Sequence, residues 1–149
     1  MTTIVYRDGV LAADGAAFAG HLRQPGNVTK VVRSPAGHLA AACGSAAFCE
    51  RWNAWVQGGM AEDPPEPERD TPEHGGDCGV LVHPDGRLQA FESFGPYFVD
   101  GPYFAMGAGD AIALGAFYAG ASAEVAIMAA ITYDAHTGGS PTILRLGGE

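Results

Sequence analysis

The chain reads as an α+β fold in which strands come in groups and helices are set apart from them. Three observations point there. Short apolar runs pair across turn dipeptides, notably at Asp8-Gly9 and Asp85-Gly86. Apolar residues recur at helical spacing in only a few stretches. The elements follow in the order strands, helix, strands, two helices, strand.

The first strand covers 2–6, a short run rich in β-formers. Arg7-Asp8-Gly9 follows, and Asp-Gly between apolar runs marks a hairpin with return strand 10–13. A chain that opens in a strand carries its N-terminus on a rigid element. The runs 28–33 and 38–43 form a second pair, joined by Ser34-Pro35-Ala36-Gly37. Residues 45–56 are helical in pattern: Ser45 suits the N-cap, Phe48, Trp52 and Trp55 recur at helical spacing, and Gly58-Gly59 ends the helix. The stretch 61–77 carries Pro64, Pro65, Pro67 and Pro72 among acidic residues and reads as an exposed loop without chemistry of its own. A hairpin follows, 79–82 and 87–92, turning at Pro84-Asp85-Gly86. Residues 96–103 read as irregular, 110–119 and 122–131 as helices, and 141–146 as the last strand. The apolar stretch 103–121 is interrupted by Gly107, Gly109, Asp110, Gly115 and Gly120, so it reads as a packed helix with its lead-in and not as a membrane span.

The 149 residues suit one domain, 1–149, and 47% of them are hydrophobic. The formal net charge of −9, with 8 Lys plus Arg, gives no basic footprint for nucleic acid or for an anionic membrane. Three cysteines without CxxC spacing (Cys43, Cys49, Cys78) read as buried apolar groups in a reducing compartment. No secretory signal opens the chain, and a cytoplasmic protein is expected. His21, His38, His74, His83 and His136 lack ligand spacing, so no metal is expected.

The opening Met-Thr-Thr is where the chemistry begins. A threonine hydroxyl is a weak nucleophile unless a base sits beside it. The α-amine of the same residue can be that base, its ordinary pKa lying near 7.7–8.0. Thr2 would then have to be first in the mature chain, with Met1 removed. Lys30 is the single lysine and lies in an otherwise apolar run: it either faces solvent from a strand or, if buried, calls for a paired acid. Asp14, closing the second strand, is the candidate partner. A cation beside the Thr2 hydroxyl favours its alkoxide-like state. Gly44, just before the helix, is placed to offer its N–H as an oxyanion donor.

These residues, with their surroundings, resemble the proteasome β-subunit family and its bacterial HslV-type branch. The shared runs are Thr2-Thr3-Ile4-Val5, Ala13-Asp14-Gly15, Gly26-Asn27-Val28-Thr29-Lys30-Val31, Cys43-Gly44-Ser45, Met106-Gly107-Ala108-Gly109 and Tyr133-Asp134-Ala135-His136-Thr137-Gly138-Gly139. They keep the same order over nearly the whole chain. The resemblance implies a four-layer αββα N-terminal-nucleophile (Ntn) hydrolase sandwich acting as a threonine peptidase on polypeptides, with no cofactor. Its site residues would be Thr2, Asp14, Lys30 and Gly44, with Asp134 and Thr137 holding the N-terminal amine. Ala17, Val28, Val32, Ala42 and Ala46 would line the pocket for the side chain before the scissile bond, with an apolar preference. It also implies a homo-oligomeric ring, with an unfoldase ATPase as a candidate partner.

Three departures stand out. Ala108 replaces a serine frequent in the family and offers no hydroxyl. The middle of the chain has one helix and the proline-rich loop where the family has two helices, so one helical layer is shortened. The chain is written from Met1, and a blocked amine would be inactive. A catalytically inactive ring or scaffold subunit is the alternative these departures raise.

Overall fold

The structure, a computed structural model, describes residues 1–71 and 74–148. Pro72 of the proline-rich loop and the side chain of His74 lie outside the described residues.

Strands β1 (Thr3–Arg7) and β2 (Val10–Ala13) form the expected hairpin, with Arg7 paired to Val10 across Asp8-Gly9. Two short strands, β3 (Phe18–Ala19) and β4 (Leu22–Arg23), make a second small hairpin. Strands β5 (Val31–Arg33) and β6 (Leu39–Cys43) lead into α1 (Ala46–Gln57). Ser45 caps α1, its hydroxyl accepting from the Phe48 N–H at 3.2 Å. Strands β7 (Asp70–Thr71) and β8 (His74–Gly75) pair within the proline-rich stretch. There follow β9 (Cys78–Val82), β10 (Leu88–Glu92), β11 (Gly95–Val99) and β12 (Tyr103–Gly107). Helices α2 (Asp110–Tyr118) and α3 (Ala123–Tyr133) precede the last strand, β13 (Thr142–Arg145).

Beside the two small hairpins, two larger antiparallel sheets form among the described residues, ordered β12-β1-β2-β13 and β11-β10-β9-β6-β5. The side-chain alternation of their strands explains the packing. Ile4, Tyr6, Leu11 and Ala13 share one buried cluster with Leu39, Ala41, Val80 and Val82 of the other sheet. Val5 and Ala12, on the opposite face, pack with Phe117 of α2 and Ala126 and Ile127 of α3. On the second sheet Ala40, Ala42 and Leu81 pack with Phe48, Trp52 and Val56 of α1. One helix thus covers one sheet and two cover the other. Among the described residues no helix is long and apolar enough to cross a membrane.

Of residues 96–103, expected to be irregular, only 100–102 are; 96–99 belong to β11 and Tyr103 opens β12. Pro96 lies within β11, which is the edge of its sheet, where a missing N–H costs no ladder bond. The run from 103 is strand β12 before it becomes helix, because its residues pair antiparallel with β1. Lys30 is also not within a strand; β5 begins one residue later. The preceding segment is drawn aside by the Val28 N–H, which donates to the Gly15 carbonyl at 2.8 Å. Asn27 assists, since its side chain joins Ser140 through two bonds of 2.8 and 3.2 Å.

Candidate active site

The site is assembled around Asp14, which is fully buried just past the end of β2. A buried carboxylate is tolerable only when its oxygens are satisfied. Oδ1 accepts from Lys30 Nζ at 2.9 Å and from the Thr3 N–H at 3.0 Å, and Oδ2 accepts from the Gly138 N–H at 3.1 Å. Lys30 is itself 9% exposed, so this is a buried ion pair, the second of the two placements its apolar run left open. Its ammonium also donates to the Met1 carbonyl at 3.0 Å. The cation therefore sits against the peptide bond that joins Met1 to Thr2.

A second network runs behind β1. The Gly109 N–H donates to Thr3 Oγ1 at 2.8 Å, and Thr3 Oγ1 meets Thr137 Oγ1 at 2.7 Å. Thr137 in turn donates to Asp134 Oδ2 at 2.6 Å. With the Thr137 hydroxyl donating to Asp134, the Thr3 hydroxyl is the donor to Thr137, and both hydroxyls donate and accept. Asp134 is the C-cap of α3, and the same oxygen accepts from the His136 N–H at 2.9 Å. Asp134 and Thr137 are thus brought together as the sequence suggested, but it is the Thr3 hydroxyl that they hold.

Thr2 is fixed through its backbone. Its carbonyl accepts from the Ala108 N–H at 3.1 Å. Ala108 therefore contributes to the site through its main chain, although its methyl brings no hydroxyl. The preceding Gly107 has φ of +106°, and a Cβ there would collide with the Thr2 carbonyl oxygen. Only glycine lets β12 close over the first residues.

Gly44 stands between β6 and the Ser45 cap, in the left-handed region at φ +119°. Behind it lies Asp77, 4% exposed, whose Oδ1 accepts from the Ser45 N–H at 2.8 Å and whose Oδ2 accepts from the Glu68 N–H at 3.0 Å. A Cβ on Gly44 would overlap Asp77 Oδ1. Asp77 was read as part of an exposed loop without chemistry. Buried, it ties the end of that loop to the turn that sets the Gly44 backbone.

Thr2, Lys30 and Gly44 share the wall of one cavity of about 350 Å³. Ala17, Val28, Ala42 and Ala46 line it, as expected. Val32 does not. The alternation of β5 turns it to the other face, where it packs against α1 with Phe48 and Trp52. Cys49, Glu50 and Asn53, one face of α1 continuing from Ala46, complete that wall. Burial first, then the nearby Asp77, pushes the Cys49 thiol up to about 11, so it is no rival nucleophile at neutral pH. Burial likewise pushes Cys43 and Cys78 up to about 12.

Several contributors escaped the sequence reading. Gly138 and Gly109 act only through main-chain N–H groups, which residue type does not advertise. Thr3 had a detectable signal, a polar residue at a position of the first strand that is fully buried. Glu50 and Asn53 lie four and seven residues after Ala46, on the same helical face.

No protein-family model and no curated protein matches this chain. Solved structures do. The chain is similar to Thiobacillus denitrificans BPH in complex with epoxomicin, at 20% identity over 97% of this chain and 98% of that one, with a TM-score of 0.65. It is equally similar to Thiobacillus denitrificans BPH alone, at 20% identity over 97% of both chains and a TM-score of 0.64. The likeness is one of fold and extends end to end.

Proposed function

We propose that this chain is a threonine-type endopeptidase of the Ntn-hydrolase class, with Thr2 as nucleophile after Met1 is removed. The observation that carries the reading is the Lys30 ammonium, held by buried Asp14 and lying 3.0 Å from the Met1 carbonyl in the wall of an open cleft. The two sheets between one helix and a helix pair support an αββα sandwich with a shortened helical layer, taken as one domain over 1–149. That the similar T. denitrificans BPH structure is a complex with epoxomicin supports this reading.

In this mechanism the Thr2 Oγ attacks the carbonyl carbon of the substrate peptide. The freed Thr2 amine, directly or through a water, takes the hydroxyl proton and passes it to the leaving amine. An ester on Thr2 results. Water then attacks it, releasing the acid and restoring the hydroxyl. Lys30 stabilises negative charge as it develops on Oγ, Asp14 fixes Lys30, and the Gly44 N–H receives the oxyanion. Asp134 and Thr137, through Thr3, orient the first residues so that the amine faces its task. Assembly into a homo-oligomeric ring, with an unfoldase ATPase feeding it polypeptide, belongs to the same proposal.

One observation favours a second reading, a catalytically inactive ring or scaffold subunit: Ala108 supplies no side-chain hydroxyl beside Thr2. Intact mass separates the two together with peptidyl reporter hydrolysis. The peptidase reading expects loss of Met1 and hydrolysis that disappears in Thr2→Ala. Retained Met1 without hydrolysis, or hydrolysis unchanged in Thr2→Ala, overturns it.

A further inference from the structure

The cavity wall changes character along α1. Near Gly44 the lining is small and apolar, with Ala17, Ala42 and Ala46. One helical turn on stands Glu50, and nearly another turn on stands Asn53. At 1.5 Å per residue, Asn53 lies about 10 Å along the helix axis from Ala46. Glu50 is exposed, and among the described residues it has no hydrogen-bond or ion-pair partner, so its charge is free to meet a ligand. Asn53 Oδ1 is buried and likewise lacks a hydrogen-bond partner. A buried carbonyl oxygen left unpaired is costly unless something arrives to donate to it. The cavity's lysine, Lys30, is committed to Asp14 and the Met1 carbonyl.

We propose that this end of the cavity binds a long cationic side chain, Arg or Lys, at the residue preceding the cleaved bond. It rests on the peptidase reading and replaces the apolar preference expected from the alanines. Those alanines suit the aliphatic stem of such a side chain. Glu50 meets the charged head, and Asn53 Oδ1 accepts from a second N–H, which the forked guanidinium supplies more readily than a single ammonium. A leucine in the same place fills the apolar part and leaves both acceptors unpaired. The discrimination follows from that asymmetry, because a site built to accept hydrogen bonds rejects an analogue that lacks the donors.

Binding tests this apart from catalysis. Calorimetry on the full-length Thr2→Ala chain would compare peptide amides that differ only in a final Arg, Lys or Leu. The Arg and Lys peptides should bind about tenfold more tightly than the Leu peptide. That ratio should collapse towards one in Thr2→Ala carrying Glu50→Gln, and Glu50→Lys should turn the preference to a Glu peptide. The negative charge of the whole chain attracts any basic peptide, so the Glu50 variants decide the matter. Leu binding as tightly as Arg, or an Arg preference that persists in Glu50→Gln, overturns the proposal. Cleavage of the same peptides by the unsubstituted chain is scored separately. An Arg preference in binding without any hydrolysis would retire the peptidase and keep the pocket.

Discussion

The two walls of the cleft are built on opposite principles. On the strand side, every polar group around Asp14 and Thr3 has a partner, and the groups are buried. On the α1 side, Glu50 and Asn53 Oδ1 lack partners among the described residues. A saturated network resists rearrangement and fixes position. The buried, unpaired Asn53 Oδ1 costs stability, the exposed Glu50 does not, and both are free to recognise something else. The contrast teaches how the proposed peptidase would separate positioning from recognition: β1, β2 and the 134–138 segment would hold the reacting atoms, and α1 would read the substrate.

The sharpest way to break this division is at the nucleophile. Thr2→Ala should lower peptide hydrolysis by about 10³-fold or more while leaving the thermal midpoint nearly unchanged, since among the described residues the Thr2 side chain makes no hydrogen bond. Next comes the saturated wall. Lys30→Met leaves a buried carboxylate without its cation and should cost about 3–5 kcal/mol in denaturant unfolding. Adding Asp14→Asn should recover part of that loss, and a double variant no more stable than Lys30→Met would refute the coupling. On the recognition wall the same logic predicts little. Glu50→Gln should shift unfolding by less than about 0.5 kcal/mol, as exposed substitutions do, while changing which peptide binds.

The smallest expected effect concerns the thiols. With Cys43, Cys49 and Cys78 raised by burial to about 12, 11 and 12, the folded chain keeps protons that the unfolded chain releases nearer pH 9. Their contribution is complete below the unfolded pKa and is lost as pH rises from about 9 towards 11–12. Stability measured over that range should fall, and replacing the three cysteines by alanine should flatten the fall. Alkylation of Cys49 by iodoacetamide at pH 7.5 should be slower than in the unfolded chain.

How much of this was legible beforehand depended on whether side chains or backbone carried the signal. The Asp8-Gly9 hairpin and the Ser45 cap were readable because specific residue types make those structures. Asp14 and Lys30 were half readable: a lone lysine in an apolar run needs a counter-ion only if it is buried, and the sequence left a solvent-facing lysine equally open. Strands β11 and β12 were not, since Pro96 and a glycine-rich aromatic run look irregular until the sheet edge and the β1 pairing are known. Val32 was misplaced because β5 starts at Val31, so its alternation could not be counted from Val28. Thr3, Gly109 and Gly138 were hidden because they serve through buried position or main-chain N–H groups. Glu50 and Asn53 were passed over because α1 was read only for its aromatic core stripe.

The central claim is that one residue supplies both hydroxyl and base beside the Lys30 cation. Epoxomicin tests both at once, because its ketone offers an electrophile to the hydroxyl and its epoxide offers another to the amine. Mass spectrometry of the treated chain, with its N-terminus sequenced in parallel, is the most direct measurement. The account predicts one stoichiometric adduct confined to a chain beginning at Thr2, absent from Thr2→Ala and from chains that retain Met1. A chain verified to begin at Thr2 that stays unmodified would contradict it.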